Sequence, residues 1–279
     1  MTPFSRDIQD YPEGIVLPVD KPFRWTSADV IRKIKYAAIK HFGKKNLKVG
    51  HAGTLDPLAT GVLIVCIGEA CKRAQQLQDS SKEYVATIRF GATTPSYDLE
   101  KDVDRTFPYG HITAEAVADA LKGFIGTQEQ VAPLFSAKSV DGVRAYELAR
   151  KLYRRGETDK LDEMSLSLLQ RNTIEISELE LLSFTPAGQD FSTPASPSLE
   201  MTSASSRINL ADTSALGLPE AKIRIACSKG TYIRAFARDL GEALGSGAHL
   251  SALQRSRSGN YGIADCLDLD AALQLLAPN

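Results

Sequence analysis

Apolar and polar residues recur along the chain with two different periods, which together predict a mixture of strands and helices. Alternating or continuous short apolar runs predict strands at 14–19, 62–67, 83–90, 173–184, 222–228 and 247–256. Apolar residues at three- and four-residue spacing predict helices that begin at Thr26 or Ser27, near Thr113, after Asp141-Gly142 and at Gly230-Thr231, with a short last helix near 271–276. Because strands are scattered among helices, we expect an α/β or α+β fold around a mixed sheet.

A glycine-punctuated stretch at 50–68, GHAGTLDPLATGVLIVCIG, contains the most conspicuous acidic residue, Asp56. Its second half predicts a buried strand, and its first half predicts a loop because glycine permits unusual backbone angles and Pro57 interrupts a helix. Catalytic groups concentrate on loops held by a rigid scaffold. An aspartate here could equally cap the following turn, so the local sequence leaves both interpretations open. Arg234 and His51 are candidates to orient it.

The composition excludes several classes of protein. The chain has 279 residues, of which 43% are hydrophobic and 24% charged, enough for a large core and too apolar for wholesale disorder. It contains no apolar run long enough to span a membrane, and its acidic N-terminal stretch is unlike a signal peptide. We therefore expect a cytoplasmic protein with no membrane partner. The Ser/Thr/Pro-rich stretch from about 185 to 220 predicts a disordered surface loop.

The sequence lacks the usual motifs for metal binding and for nucleotide chemistry. The cysteines form no CxxC pair, and no histidine lies at zinc-ligand spacing from a cysteine. The chain has neither a phosphate-binding glycine loop followed by Lys-Ser/Thr nor a GxSxG elbow. Scattered cysteines in apolar runs predict small, reduced, buried side chains. We expect a carboxylate reaction without metal or cofactor, or no reaction.

The net charge of −1, from 33 basic and 34 acidic residues, by itself argues against a nucleic-acid partner. This net charge averages over regions of opposite charge: residues 31–50 contain basic residues and no acidic ones, and 138–155 and 229–257 are also basic. Acidic residues cluster instead at 98–104 and 157–163. A phosphate backbone responds to the local patch, so an RNA-facing surface stays possible, as does a merely solvated helix face.

The segment 50–72, GHAGTLDPLATGVLIVCIGEACK, resembles the signature of the TruB family of tRNA pseudouridine synthases. Further stretches resemble the family in the same order, at 14–22, 82–91, 130–150 and 227–259. The resemblance implies the pseudouridine-synthase fold, a central mixed and largely antiparallel sheet flanked by helices and loops. It also implies isomerisation of uridine to pseudouridine at position 55 of the T-loop of tRNA, without a cofactor.

The resemblance assigns roles to individual residues. Asp56 matches the nucleophilic aspartate, Tyr84 the tyrosine that stacks on the flipped base and helps to remove the C5 proton, and Arg234 the arginine that pairs with the aspartate. Flipping a base costs a few kcal/mol, which an aromatic platform partly recovers. Attack at the ribose C1′, assistance of a glycal route and attack at C6 of the base all stay open.

The resemblance also assigns substrate-binding residues. Tyr232 and Leu253 match residues that line the uracil pocket, His51 a T-loop contact, and Lys21 and Pro22 an N-terminal element near the site. Charge patterning adds candidates for contacts with the RNA backbone, which are Lys44, Lys45, Lys48, Arg144 and Lys229. Without the resemblance, both tyrosines could be ordinary core aromatics and His51 a structural hydrogen bonder.

The expected domain organisation is one synthase domain over 1–258, with an insertion at 130–160 that matches the tRNA-clamping segment of the family. The family usually carries a C-terminal RNA-binding PUA domain, whereas residues 259–279 form only a short tail. We expect a monomer by default. Two other hypotheses are a non-catalytic tRNA-binding or tRNA-folding protein and, ranked far lower, a carboxylate-dependent hydrolase, because a glycosidase typically uses two carboxylates.

Overall fold

A computed structural model describes residues 3–136, 138–140, 142–158, 160–169, 171–188 and 208–277. The strands are β1 (Ile15–Lys21), β2 (Val49–Ala52), β3 (Ala59–Ile67), β4 (Lys82–Phe90), β5 (Ala92–Thr93), β6 (Arg105–Thr106), β7 (Gly126–Gln130), β8 (Ser139–Val140), β9 (Val143–Arg144), β10 (Asn172–Thr185), β11 (Glu220–Cys227), β12 (Ala248–Ser258) and β13 (Tyr261–Gly262). The helices are α1 (Ser27–Phe42), α2 (Ala74–Asp79), α3 (Ala114–Lys122), α4 (Ala145–Arg154), α5 (Lys160–Leu168), α6 (Ile233–Ala243) and α7 (Leu269–Gln274). This confirms the predicted mixture of helices with a central, mostly antiparallel sheet.

The described residues divide into two compact units. The first unit holds the described residues up to Tyr84, Ile208, and those from Gln254 onward; the second begins at Val85 and includes Asn209–Leu253. Strands β4 and β12 each contribute one part to the first unit and one part to the second. Each unit is described by itself.

In the first unit the strand order is β1-β3-β12-β4, and β1 and β2 both pair antiparallel with β3. Helix α1 begins with the predicted cap, because the Thr26 hydroxyl accepts a bond from the Asp29 amide and the Asp29 carboxylate accepts one from the Thr26 amide. It ends at Gly43, whose φ of 63° suits glycine. Val30, Ile34 and Ala38 form its buried face, as the spacing predicts.

In the second unit the strand order is β12-β4-β11-β10-β7, with β10 antiparallel to both β11 and β7. Phe124, two residues after α3, makes an edge-to-face contact with Phe236 of α6, with ring centroids 5.3 Å apart. A buried ion pair joins Arg89 of β4 to Glu220 of β11 at 2.7 Å. The sheet therefore combines an apolar core with a paired internal charge.

The insertion between β7 and β10 forms a small core of its own. Its buried residues come from the irregular segment after β7, from α4, from α5 and from the residue after α5. They include Val131, Ala132, Leu134, Phe135, Ala145, Ala149, Leu152, Leu161 and Leu169. Hairpin β8–β9 turns at Gly142, which has a φ of 81°. The predicted helix after the Asp-Gly turn is confirmed as α4, whereas Asp141 itself lies outside the described residues.

Several predictions differ from the structure. Residues 50–52 belong to strand β2 rather than to a loop, because pairing with β3 satisfies backbone groups on the edge of that buried strand. Strand β7 and helix α5 have weak hydrophobic periodicity and were not predicted. Helix α6 begins at Ile233, with Tyr232 as its extended cap residue, rather than at Gly230-Thr231.

The predicted 185–220 loop is described at its two ends only. Residues 189–207 lie outside the described residues. After them, the Ala211 amide bonds to the Leu99 carbonyl, a 3-10 helix spans Ser214–Leu216, and the Thr213 hydroxyl accepts a 2.7 Å bond from Arg89. Residues 209–219 thus belong to the second unit and are held in it by specific hydrogen bonds.

Candidate active site

The loop that carries Asp56 is held by buried side chains on both sides of the aspartate. The Ser27 hydroxyl donates to the Leu55 carbonyl at 3.1 Å and accepts from the Leu55 amide at 2.9 Å. The Asp56 carbonyl accepts from the Ala59 amide at 3.1 Å, which closes the turn into β3. Gly53 enters this loop with a φ of 94°, in the left-handed region that favours glycine. The half-buried aspartate therefore lies on a fixed backbone.

Lys21, at the end of β1, lies beside this loop with its side chain fully buried. Its ammonium donates to the carbonyl oxygens of Pro22 at 2.9 Å, Trp25 at 2.6 Å and Pro57 at 3.1 Å. Burial lowers the Lys21 pKa from 10.5 to about 7, and the negative charge of Asp56 opposes that shift. The predicted Lys21–Pro22 element thus lies next to Asp56 and contacts the residue that follows it.

Arg255 of β12 provides a second buried cation, with its side chain 1% exposed. Its guanidinium donates to the carbonyl oxygens of Val62 at 2.7 Å, Gly53 at 3.1 Å and Thr54 at 3.4 Å. A Cβ on Gly61 would lie 2.2 Å from the Arg255 carbonyl oxygen, so only glycine permits this approach of β3 to β12. Arg255 was missed at the sequence level, because a basic residue in a basic segment gives no sign of being buried.

His51 lies on β2, two residues before Gly53, and its ring is partly buried. Burial lowers the pKa of His51, and the positive charge of Arg255 lowers it further. Its Nδ1 is a buried polar atom without a hydrogen-bond partner within the described part of the chain. The ring is therefore neutral at physiological pH, and it can donate or accept a hydrogen bond rather than supply a fixed charge.

In the second unit, Arg234 of α6 is buried and interacts with the segment that follows β5. Its Nη1 donates to the Ser96 carbonyl at 3.1 Å, and its Nε lies 3.8 Å from an Asp98 carboxylate oxygen. Asp98 in turn accepts from the Ser96 hydroxyl at 2.6 Å and from the Glu100 amide at 2.9 Å. Tyr97, between them, has a φ of 57°, a conformation that is rare for tyrosine. Asp98 therefore appears as a partner of Arg234 that the sequence did not reveal.

Three further predicted pocket residues are divided between the two units. In the second unit, Tyr232 is the cap residue of α6, two positions before Arg234, and Leu253 lies on β12; both side chains are half-buried. In the first unit, Tyr84 lies on β4 and is half-buried, and farther along that strand Ala86 and Ile88 are buried at alternate positions. The alternation predicted for that strand is confirmed. Half-buried aromatic rings suit a platform against which a base can stack.

Four of the five candidates for contacts with the RNA backbone lie at the surface. Lys44, Lys45 and Lys48 are exposed in and after the turn that follows α1, and Lys229 is exposed after β11. Arg144 lies on strand β9, opposite Ser139. Lys44, Lys45 and Lys48 belong to the segment 31–50, which contains no acidic residue. Clustered basic residues of this kind are typical of a surface that faces phosphates.

The described residues also bear on metal and thiol chemistry. Among the described residues no group of three or more His, Cys, Asp or Glu side chains is placed to hold a metal ion. All four cysteines are free, and burial raises the pKa of Cys66 to about 11, which suppresses thiolate chemistry there. In the described part of the chain, no helix is both long and apolar enough to cross a bilayer.

Comparison with family models gives two consecutive matches. A model described as TruB family pseudouridylate synthase, N-terminal domain, matches residues 39–233. A second, described as tRNA pseudouridylate synthase B C-terminal domain, matches residues 234–277.

Curated relatives match along nearly the whole chain. A tRNA pseudouridine synthase B of Phocaeicola vulgatus is 48% identical over 262 residues, which cover 94% of this chain and 93% of the relative. The protein of the same name from Bacteroides thetaiotaomicron is 49% identical over 259 residues, 93% of this chain and 91% of the relative. That from Deinococcus radiodurans is 36% identical over 256 residues, 91% of this chain and 77% of the relative.

Solved structures show the same fold. A chain in the crystal structure of a Cbf5-Nop10-Gar1 complex superposes with a TM-score of 0.59 at 24% identity, over 98% of this chain. A chain in an H/ACA RNP bound to a substrate RNA that contains 2'-deoxyuridine has a TM-score of 0.57 at 21% identity, also over 98%. This chain spans 58% and 57% of those two chains.

Proposed function

The chain belongs to the TruB family of pseudouridylate synthases, and on that premise we propose that it isomerises uridine to pseudouridine at position 55 of the T-loop of tRNA. In this reaction the N1–C1′ glycosidic bond of the uridine breaks, the base turns, and a C5–C1′ bond forms. The proton lost from C5 is replaced by one on N1, so the reaction needs no cofactor. The proposed site of action is cytoplasmic tRNA.

The observation that carries the proposal is the fixed loop around Asp56. A nucleophile gains rate when its backbone is pre-positioned, because no ordering remains to be done during the reaction. Buried donors hold residues on both sides of Asp56: Arg255 binds Gly53 and Thr54, and Lys21 binds Pro57. Lys21, when protonated, also places a positive charge near the carboxylate that attacks.

Aromatic and polar residues complete the proposed roles. Tyr84 stacks on the flipped uracil and assists removal of the C5 proton, while Tyr232 and Leu253 line the pocket. In the proposed mechanism Arg234 pairs with Asp56, as the resemblance to the family implies, and Asp98, whose carboxylate oxygen lies 3.8 Å from the Arg234 Nε, orients the guanidinium. His51, neutral because of burial, contacts the T-loop, and Lys21–Pro22 support the aspartate loop.

RNA binding is proposed to use exposed basic residues and the insertion. Lys44, Lys45, Lys48, Arg144 and Lys229 contact phosphates, and the insertion at 130–160 closes on the T-stem-loop. A small independent core supports its action as a unit. The protein acts as a monomer in this proposal.

The test compares the protein with its Asp56→Asn variant on an unmodified tRNA transcript, followed by mapping of pseudouridine. We expect product at position 55 from the wild type and from Asp102→Asn, a control at an exposed aspartate, and none from Asp56→Asn. A wild type that binds the transcript but yields no product would favour the tRNA-binding or tRNA-folding hypothesis. Product from Asp56→Asn would exclude Asp56 as the nucleophile.

A further inference from the structure

The insertion leaves the sheet at Gln130, the last residue of β7. Gln130 pairs across the ladder with Asn172, the first residue of β10, so the two ends of the insertion meet at this one position. The side chain of Gln130 is 3% exposed. The insertion therefore leaves the sheet at a buried amide side chain.

The Gln130 side chain holds both backbone polar groups of one residue, Tyr232. Its Oε1 accepts from the Tyr232 amide at 2.8 Å, and its Nε2 donates to the Tyr232 carbonyl at 3.2 Å. Tyr232 has an extended backbone and begins α6 without any side-chain cap. A planar amide that satisfies donor and acceptor together fixes the peptide groups on both sides of that residue.

The side chain of Tyr232 is coupled to the insertion as well. Its ring packs against the buried core formed by Val131, Phe135, Ala149 and Leu152. One residue therefore belongs to the proposed uracil pocket and to the surface on which the insertion rests. A displacement of the insertion core changes the support of the ring, and a displacement of Gln130 changes the backbone.

Two further contacts join the insertion to the Arg234 neighbourhood. Arg238, one turn along α6, donates from Nη2 to the Val131 carbonyl at 3.1 Å. Lys101, three residues after Asp98, places its ammonium 4.9 Å from the centre of the Tyr153 ring. Neither of these two contacts is made to a residue of the proposed uracil pocket, whereas Gln130 binds such a residue, Tyr232, directly.

We propose that Gln130 is a positioning residue that couples the RNA-clamping insertion to Tyr232 and so sets the geometry of the uracil pocket when RNA is bound. The proposal rests on the proposed function for its catalytic consequence, but the coupling itself is a property of the free protein. Glutamine suits the role because glutamate offers no donor to the Tyr232 carbonyl at neutral pH, and methionine offers neither bond at similar length.

The first measurement follows exchange of the Tyr232 amide hydrogen in the free protein. Gln130→Met removes its acceptor, so we expect exchange at least tenfold faster than in the wild type; Gln130→Glu keeps the acceptor and exchanges more slowly than Gln130→Met. The matched control is Gln128→Met, which removes a glutamine bond to the Phe124 carbonyl from the same strand. Equal exchange at Tyr232 in Gln130→Met and wild type would overturn the coupling.

The second measurement is single-turnover conversion of an unmodified T-stem-loop RNA. We expect Gln130→Met to lower the rate constant 10- to 100-fold while the dissociation constant for the RNA changes less than threefold, and Gln128→Met to leave both unchanged. A loss confined to RNA affinity, or no loss, would overturn the positioning role. If Gln130→Met fails to fold, Gln130→Glu takes its place in the turnover measurement, because glutamate loses the donor to the Tyr232 carbonyl. A rate constant and an affinity equal to those of the wild type would then overturn the positioning role.

Failure of the inference and failure of the proposed function give different results. A wild type that converts no RNA contradicts the proposed function, while the exchange of Tyr232 still supports or overturns the coupling. An active wild type with an equally active Gln130→Met variant contradicts only the inference.

Discussion

The guanidinium of Arg255 binds the carbonyl oxygen of Gly53 at 3.1 Å, three residues before Asp56. The contact joins a strand near the end of the chain to the glycine-rich loop near its beginning. The described hydrogen bonds of the buried Arg255 guanidinium are all donated to backbone carbonyl oxygens. Burying a charge costs free energy, and these several charge-assisted hydrogen bonds offset that cost. The first prediction follows from this contact.

Replacing Arg255 with lysine keeps the charge but removes the planar fork that reaches both Gly53 and Thr54. We expect kcat to fall about 10- to 100-fold, because a displacement of about 1 Å in a catalytic group costs a factor of that order. The measurement is steady-state turnover of tRNA. The matched control is Arg257→Lys, two residues along β12, where a half-exposed side chain pairs with Glu83. Equal turnover in both variants would show that Arg255 does not position the loop.

A second prediction concerns the close approach of β3 and β12 at Gly61. Gly61→Ala combines a φ of 98° with a Cβ only 2.2 Å from the Arg255 carbonyl oxygen, so we expect a loss of more than about 3 kcal/mol in the free energy of unfolding. Gly43→Ala is the control, since its φ of 63° is also positive but a Cβ there would meet open space, so the substitution should cost only about 1–2 kcal/mol. Urea unfolding measures both, and equal losses would show that the steric contact is unimportant.

Most elements could be predicted because hydrophobic spacing is local. The periodicity of Val30, Ile34 and Ala38 and the Thr26 cap place α1, and the alternation along β4 places its buried face. Strand β7 could not be predicted, because its GTQEQ sequence has no apolar alternation and its pairing with β10 is tertiary. Residues 49–52 could not be predicted as a strand for the same reason, since Val49 pairs with Ile67, eighteen residues later, and Ala52 with Ile64, twelve residues later.

The site was only partly predictable. The residues around Asp56 follow one another along the chain, so they could be recognised together. Arg255 and Gln130 lie far from the residues they hold, and neither a buried guanidinium nor a buried amide has a distinctive local pattern. Asp98 lies in a sequence cluster of acidic residues, which gives no sign that its carboxylate is buried beside Arg234.

A third prediction concerns the pH dependence of stability through Lys21. The folded state loses the Lys21 proton near pH 7, whereas the unfolded chain keeps it to about 10.5, so the unfolded state binds more protons between these values. Stability from this group therefore rises with pH across that window, by up to about 1.4 kcal/mol per pH unit. Below pH 7 both states are protonated and the cost of the buried charge is constant.

The measurement compares urea unfolding of the wild type and Lys21→Met between pH 6 and 9.5. Methionine cannot titrate and is expected to lower stability at every pH, because three carbonyl oxygens lose their donor. The difference between the two proteins should be constant below pH 7 and widen above it in favour of the wild type. A difference that stays constant to pH 9.5 would mean that Lys21 remains charged in the folded protein.

The last prediction concerns the acid-free surface after α1. If Lys44, Lys45 and Lys48 each neutralise one phosphate, each releases bound counterions, and the dependence of log affinity on log salt carries a slope of about 0.7 to 0.9 per contact. Each single Lys→Gln substitution should therefore reduce the magnitude of that slope by about 1, and the triple variant by about 2–3.

The control is Lys122→Gln, which should leave the slope unchanged, because only lysines that bind phosphates compete with salt. Lys122 is exposed on α3 and paired with Asp119. Binding of unmodified tRNA to Asp56→Asn between 50 and 300 mM salt measures the slope without turnover. Equal slopes for the triple variant and Lys122→Gln would show that the surface is a solvated face rather than an RNA contact.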